Sequence, residues 1–158
     1  MKIREMNIND VEEVKELARI TWLDTYNSIL PLHVQKQTLD EAYSQETMDE
    51  RFRTSHMLVA VDNEKIAGYA FFSYKEAAKV LHLESLYVRP DVQQNGIGKA
   101  LFDAGVAHFP LAKRMTLYIL KGNESLPFYQ KLEFEYEKEV ENSFSGYPVT
   151  FMRMGKRL

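Results

Sequence analysis

The sequence predicts an α/β fold built on a central mixed sheet, mostly antiparallel, with helices on its flanks. Three observations point there. Strand-like runs at Met57–Val61, Lys65–Tyr74 and from Leu81 onward follow one another through short polar turns, the pattern of an antiparallel meander and not of a βαβ series. A helix-like stretch from Gly96 to just before Pro110 then separates the Leu81 strand from the next one, Arg114–Leu120, so those two can run parallel. No internal repeat, low-complexity run or linker-like segment interrupts the 158 residues, which predicts a single domain over residues 1–158.

Each element follows from its own residues. Lys2–Met6 reads as a short strand. Asn9 or Asp10 can cap the next helix, because their side chains accept the unpaired N–H groups of a first turn. Val11, Val14, Leu17 and Ala18 fall on one face of that helix, which continues through Trp22 and Tyr26 and stops by Pro31. Residues 31–55 are polar and helix-prone, with apolar points at Val34, Leu39, Tyr43, Met48 and Phe52, and predict one or two short helices. Asp62-Asn63-Glu64 is a hairpin turn that lacks the Asn-Gly pair of the strongest such signals. After Arg114–Leu120 come a short helix at Glu124–Leu132 and two strands, Phe134–Val140 and Tyr147–Met154.

Composition narrows the function. A net charge of −3 with 27% charged residues presents no broad basic face for nucleic acid. No stretch approaches the roughly 20 apolar residues of a membrane span, and the charged N-terminal segment has no signal-peptide core, so a cytoplasmic protein is expected. There is no cysteine, which removes disulfides, thiolate nucleophiles and Cys-ligated zinc; the four histidines are scattered without metal spacing, so no metal is expected. The partner expected is a small molecule. If the chain self-associates, a homodimer is the commonest outcome.

The chemistry concentrates in Leu81–Leu101. In the turn Gln93-Gln94-Asn95-Gly96-Ile97-Gly98-Lys99, the glycines tolerate positive φ and let backbone approach a bulky group. The helix that starts there points unpaired N–H groups and its positive end at the same spot, and Lys99 adds a charge. This is an anion cradle suited to a pyrophosphate. It is not a dinucleotide fingerprint, since Leu101 stands where the third glycine belongs, and not a P-loop, since Ala100 follows Gly98-Lys99.

Gln93-x-x-Gly96-x-Gly98, preceded by Leu86-Tyr87-Val88-Arg89-Pro90, resembles the acetyl-CoA signature of the GNAT superfamily of N-acetyltransferases. The run from Asn123 through Phe128-Tyr129-Gln130-Lys131-Leu132-Glu133-Phe134 resembles that family's second landmark, and the element order agrees along the whole chain. The resemblance implies a GNAT fold whose parallel strand pair splays apart, with acetyl-CoA as acetyl donor. It further implies that backbone groups of Gln94, Asn95, Gly96, Ile97, Gly98 and Lys99 bind the CoA pyrophosphate. Leu86 and Val88 would pair with the pantetheine arm, Asn123 would touch the cofactor, and Tyr129 would lie near the sulfur. Two departures stand out. Asn123 precedes Tyr129 by six residues where many members have seven, and Glu133 replaces a glycine, which suggests a different exit from that helix.

Transfer to an amine needs a base, because amines are largely protonated at neutral pH. Glu84 is the best candidate, in a strand whose neighbours Leu83, Ser85, Leu86 and Val88 suggest burial and hence a stronger base. A partly solvated edge glutamate or an ion-pair partner is the other reading. Tyr129 suits protonation of the leaving thiolate. Strand alternation puts His82 on the face of Glu84, as a reserve base. Trp22, Tyr26 and Tyr43 form either substrate wall or core. The expected reaction is direct transfer to a primary amine of a small molecule in a ternary complex. The run Thr21-Trp22-Leu23-Asp24-Thr25-Tyr26 and the polar helical segment after it are loosely similar to PaiA-type polyamine acetyltransferases, and Asp40, Glu41, Glu46, Asp49 and Glu50 could attract a polycation or simply be a solvated helix face. Two other functions stay open: a protein or peptide N-terminal acetyltransferase, and a non-catalytic acyl-CoA-binding regulatory module.

Overall fold

The computed structural model describes all 158 residues. In chain order the elements are β1 (Lys2–Glu5), α1 (Val11–Tyr26), α2 (Leu32–Ala42), α3 (Gln45–Thr54), β2 (His56–Asp62), β3 (Lys65–Lys75), β4 (Val80–Val88), α4 (Ile97–His108), β5 (Arg114–Leu120), α5 (Leu126–Lys131), β6 (Glu135–Phe144) and β7 (Tyr147–Arg157). The strands make one seven-stranded sheet in the order β1-β2-β3-β4-β5-β7-β6. Every neighbouring pair is antiparallel except β4 and β5, which α4 joins as a crossover. The mixed, mostly antiparallel sheet flanked by helices is therefore as expected. The last two strands run further than the sequence suggested, because a tight turn at Ser145-Gly146, both at positive φ, lets pairing continue to Phe144↔Tyr147.

A core lies on each side of the sheet. On one side Val14, Leu17, Ala18 and Trp22 of α1 pack with Leu39, Tyr43 and Met48 onto Val59, Tyr69 and Phe71. On the other, Ile97, Leu101 and Phe102 of α4 pack onto Ala70, Phe72, Leu81, Leu83, Met115 and Leu117. Each fully buried aliphatic side chain of this kind contributes about 1.5–3 kcal/mol over an exposed one. Helix α4 sits close to the sheet because a glycine stands on each side of the contact, Gly68 on β3 and Gly105 on α4 itself: a Cβ would fall 2.8 Å from Leu101 Cδ1 at the first and would collide with the Phe72 ring at the second.

Two local readings are corrected, the N-terminal cap and the exit from α5, and the hairpin turn is present as expected. The N-terminal cap is Asn7, which with Asp10 forms a reciprocal capping box on a short 3₁₀ turn; Asp10 is also gripped by both Arg4 guanidinium nitrogens at 2.8 and 3.0 Å, tying β1 to α1. The β2–β3 turn is tight without Asn-Gly, since Asn63 and Glu64 both adopt positive φ. Glu133 takes φ 71 itself, so the chain leaves α5 by the left-handed route that glycine normally serves.

Candidate active site

The feature that organises the site is a break in the sheet. Strands β4 and β5 pair only from Val80↔Arg114 to Leu83↔Leu117, although β4 runs on to Val88 and β5 to Leu120. The cause sits in the register between β3 and β4, where Phe72 opposes Leu83 and Phe71 opposes Ser85, leaving Glu84 as an extra, bulged residue. A bulge bends its strand and sharpens its twist, and here pairing with β5 ends at the residue before it. The strands part, and a cleft of ≈ 460 Å³ opens between them.

Backbone groups for a ligand line that opening. Arg89 N–H donates to Ala67 O of β3, and backbone groups alternate sides along a strand, so those of Val88 and Leu86 face the gap. Val88 O already accepts from Gln93 Nε2 at 3.0 Å, so the Gln93 side chain braces the strand end. Beyond it, Gln94 and Gly96 adopt positive φ, 69° and 80°, and turn the chain into α4. The first backbone bond back to Gly96 O comes from Ala100, and α4 has no side-chain cap, so the amides of Ile97, Gly98 and Lys99 lack helix partners. Ile97 and Gly98 thus offer backbone to the cleft while the Ile97 side chain is buried in the core. Lys99 lies at the rim with its ammonium paired to Asp103 at 2.6 Å. Asn95 is exposed and does not line the cleft.

The side chains expected to act on the ligands come from three elements, α1, β4 and α5, and from the loop before α5. Glu84, Tyr129, Asn123, Trp22 and Tyr26 all line the cleft. Glu84 is exposed: the bulge turns it outward, so the burial expected from its neighbours does not occur. Its Oε1 accepts from Ser73 Oγ at 3.1 Å and lies 3.6 Å from His82 Nε2, while Oε2 has no hydrogen-bond partner in the protein. His82 shares the face of Glu84, as alternation required, but stands behind it and not in the cleft wall. Burial holds the His82 imidazole below its usual range; Glu84 opposes this, and Arg153 and Lys75 add to it. Tyr129 packs edge-on against Phe128 and Phe134, and its hydroxyl bonds no protein group. Burial first, and the neighbouring Tyr87 second, push that phenol well above the ordinary tyrosine range, so it stays protonated and uncharged.

Trp22 and Tyr26 belong to both alternatives left open by the sequence. Trp22 is buried, donates its indole N–H to Tyr87 Oη at 2.9 Å and meets the Tyr26 ring edge-on at 5.2 Å, yet both rings face the cleft. Tyr43 is core only. Asn123 Oδ1 accepts from Ser125 N at 2.9 Å and its Nδ2 reaches Tyr26 Oη at 3.4 Å, so it fixes the start of α5 against α1. The acidic residues of α2 and α3 lie outside the cleft. Asp40 pairs with Lys15 and Lys36, and Glu50 with Arg53, while Glu41, Glu46 and Asp49 pair with no cation. Sequence reasoning missed Ser85, Tyr87 and Tyr118 as cleft residues. Tyr87 lay in plain view, two residues from Ser85 on one strand face; nothing marked Tyr118, which reaches the cleft where β5 has parted from β4 while still paired with β7.

A strand pair that parts above an uncapped, glycine-opened helix is an arrangement shared with known proteins, and residues 23–156 match the family model for an acetyltransferase (GNAT) domain. The chain belongs to the GNAT family. It is 24% identical over 162 residues to YuaI of Bacillus subtilis (strain 168), an N-acetyltransferase itself uncharacterized, a match spanning 97% of this chain and 90% of that one. In shape it is similar to the PaiA N-acetyltransferase of Thermoplasma acidophilum, solved in complex with coenzyme A, with TM-score 0.84 at 23% identity over 99% of this chain and 98% of that chain. It is also similar to the ribosomal-protein-S18-alanine N-acetyltransferase of Escherichia coli, with TM-score 0.72 at 16% identity over 99% and 92% of the two chains.

This GNAT chain is an N-acetyltransferase that uses acetyl-CoA. The residues present fit that donor. Three helix amides without helix partners suit phosphate oxygens, and a free strand edge suits an amide-bearing arm. The approach over Gly98 is narrow, since a Cβ there would lie 3.4 Å from Phe128 Cζ and 3.7 Å from Val88 Cγ2. No three His, Cys, Asp or Glu side chains gather as a metal site would need, and no helix is long and apolar enough to cross a membrane.

Proposed function

We propose that the chain, acting as one catalytic domain, acetylates a primary amine of a small cationic molecule by direct attack within a ternary complex. The observation that carries this reading is the second oxygen of Glu84. It is unpartnered in a cleft whose walls include the aromatic rings of Trp22, Tyr26, Tyr87 and Tyr118. A lone carboxylate among aromatic faces suits an ammonium group, which gains from both.

Bound acetyl-CoA supplies an activated acetyl thioester. The chain's residues do the rest. Backbone of Gln94, Gly96, Ile97, Gly98 and Lys99 holds the phosphates, the edges of Leu86 and Val88 align the arm, and Asn123 fixes the loop that carries α5. Glu84 Oε2 takes the proton from the ammonium nitrogen, leaving a neutral amine and a carboxylic acid. As the amine nitrogen bonds the acetyl carbon and the carbon–sulfur bond breaks, the Tyr129 hydroxyl would give its proton to the leaving sulfur and regain the one that the new amide nitrogen sheds. The absence of cysteine supports direct transfer over an acyl-thioester intermediate on the protein.

The test is thiol release from acetyl-CoA against a panel of polyamines, amino acids, aminoglycosides and peptides. Turnover with spermidine or another small polycation supports the reading. Turnover confined to peptide N-termini replaces it with a peptide acetyltransferase, and coenzyme binding without turnover on any acceptor replaces it with a regulatory module.

A further inference from the structure

Glu84 is held from behind by a chain of side chains on three strands. Ser73 of β3 donates to its Oε1, and His82 Nε2 approaches the same oxygen at 3.6 Å. On its other side, His82 Nδ1 lies 2.8 Å from Thr116 Oγ1 of β5. The His82 ring is further fixed against Tyr118, with centroids 5.3 Å apart.

The hydrogen positions follow from satisfaction. Thr116 is buried, and its hydroxyl has no hydrogen-bond partner in the protein except His82 Nδ1. A buried hydroxyl hydrogen without an acceptor is costly. Thr116 therefore donates, Nδ1 accepts, and the single proton of the neutral imidazole sits on Nε2, facing Glu84. Glu84 Oε1 then accepts one hydrogen bond, from Ser73, and has the His82 Nε2–H beside it at 3.6 Å, too long for a hydrogen bond but close enough for charge–dipole attraction, while Oε2 has neither. A bulged, exposed glutamate would otherwise sample many rotamers, and a base must be held where the proton will be.

We propose that Thr116, His82 and Ser73 form a positioning relay, in which Thr116 fixes the His82 tautomer and His82 with Ser73 pins one oxygen of Glu84 so that the other faces the acceptor. This rests on the reading of Glu84 as base. It assigns His82 a positioning role and removes it as a base in its own right, since it does not line the cleft.

Activity is measured with acetyl-CoA and spermidine, or with whichever panel amine is acetylated, in His82→Leu, His82→Gln, Thr116→Val, Glu84→Gln and the His82→Leu/Glu84→Gln pair. His82→Leu should lower kcat about 10-fold with KM for acetyl-CoA unchanged, and Thr116→Val about 3-fold. His82→Gln, whose amide N–H can still reach Glu84, should recover most of the loss. In the Glu84→Gln background His82→Leu should cost nothing more, because a positioning residue acts only through its partner. Independently of any acceptor, the ¹⁵N spectrum of the wild-type ring should show protonated Nε2 and unprotonated Nδ1 above its titration, with that preference lost in Thr116→Val. A protonated Nδ1 in the wild type, or equal losses in His82→Leu with and without Glu84, overturns the relay. A fully active Glu84→Gln overturns the base assignment instead, so the two failures are distinguishable.

Discussion

Gly98 separates fold from function in a single substitution. It lies in the first turn of α4, where its amide has no helix partner, and a Cβ there would stand between Phe128 Cζ at 3.4 Å and Val88 Cγ2 at 3.7 Å. Those are close but tolerable contacts for the protein alone, and alanine is the better helix former by as much as about 1 kcal/mol in a helix interior. Gly98→Ala should therefore leave stability unchanged or raise it by roughly 0.5 kcal/mol, an increase of about 1–2 °C in Tm for a chain of this size. The cofactor meets the opposite effect. Phe128 and Val88 both line the cleft, so the methyl narrows the approach to the amides. Losing one charge-assisted hydrogen bond costs about 1.5–3 kcal/mol, or roughly 10- to 100-fold in affinity. Calorimetric titration with coenzyme A, beside a thermal melt of the same samples, measures both. A Gly98→Ala protein that binds coenzyme A as the wild type does would refute the cradle.

Three further outcomes follow from the geometry. Tyr129→Phe removes only a hydroxyl without protein partners and should lower kcat about 10- to 100-fold, with coenzyme A affinity within about 2-fold by titration. Glu133→Gly relieves a left-handed residue at the end of α5 and should stabilise the fold by about 0.5–1 kcal/mol in urea unfolding. Asp10→Asn breaks the paired hydrogen bonds from Arg4 and should cost about 1 kcal/mol. The Arg4 hydrogen bond holds the Asp10 carboxyl below its ordinary value of 3.8, against an opposing effect of burial. That stability is therefore complete above pH 3.8 and lost as pH falls through the lower folded value, and urea midpoints of wild type and Asp10→Asn should converge there.

Much of this architecture was legible in residue order. Short turns between β2, β3 and β4 left a meander as the economical pairing, and the length of α4 allowed β5 to return parallel. The turn into an uncapped α4 was legible because Gly96 and Gly98 act locally. What could not be read depended on register between distant strands. The bulge at Glu84 exists only because Phe71 and Phe72 pair as they do with β4, and it turns a residue that seemed buried into an exposed one. The same bulge ends the pairing with β5 and brings Tyr118 into the cleft. Glu133 misled in the opposite sense: the packing of Phe134 and Leu132 on the sheet keeps the left-handed exit although the residue type opposes it.

The most direct measurement is kcat of Glu84→Gln with the best amine acceptor, taken beside its affinity for coenzyme A. Glutamine keeps the shape and removes the base. A loss of about 10²–10⁴-fold in kcat, the span of a positioned general base, with coenzyme A affinity unchanged, is the result expected. Wild-type turnover in that variant would contradict the account.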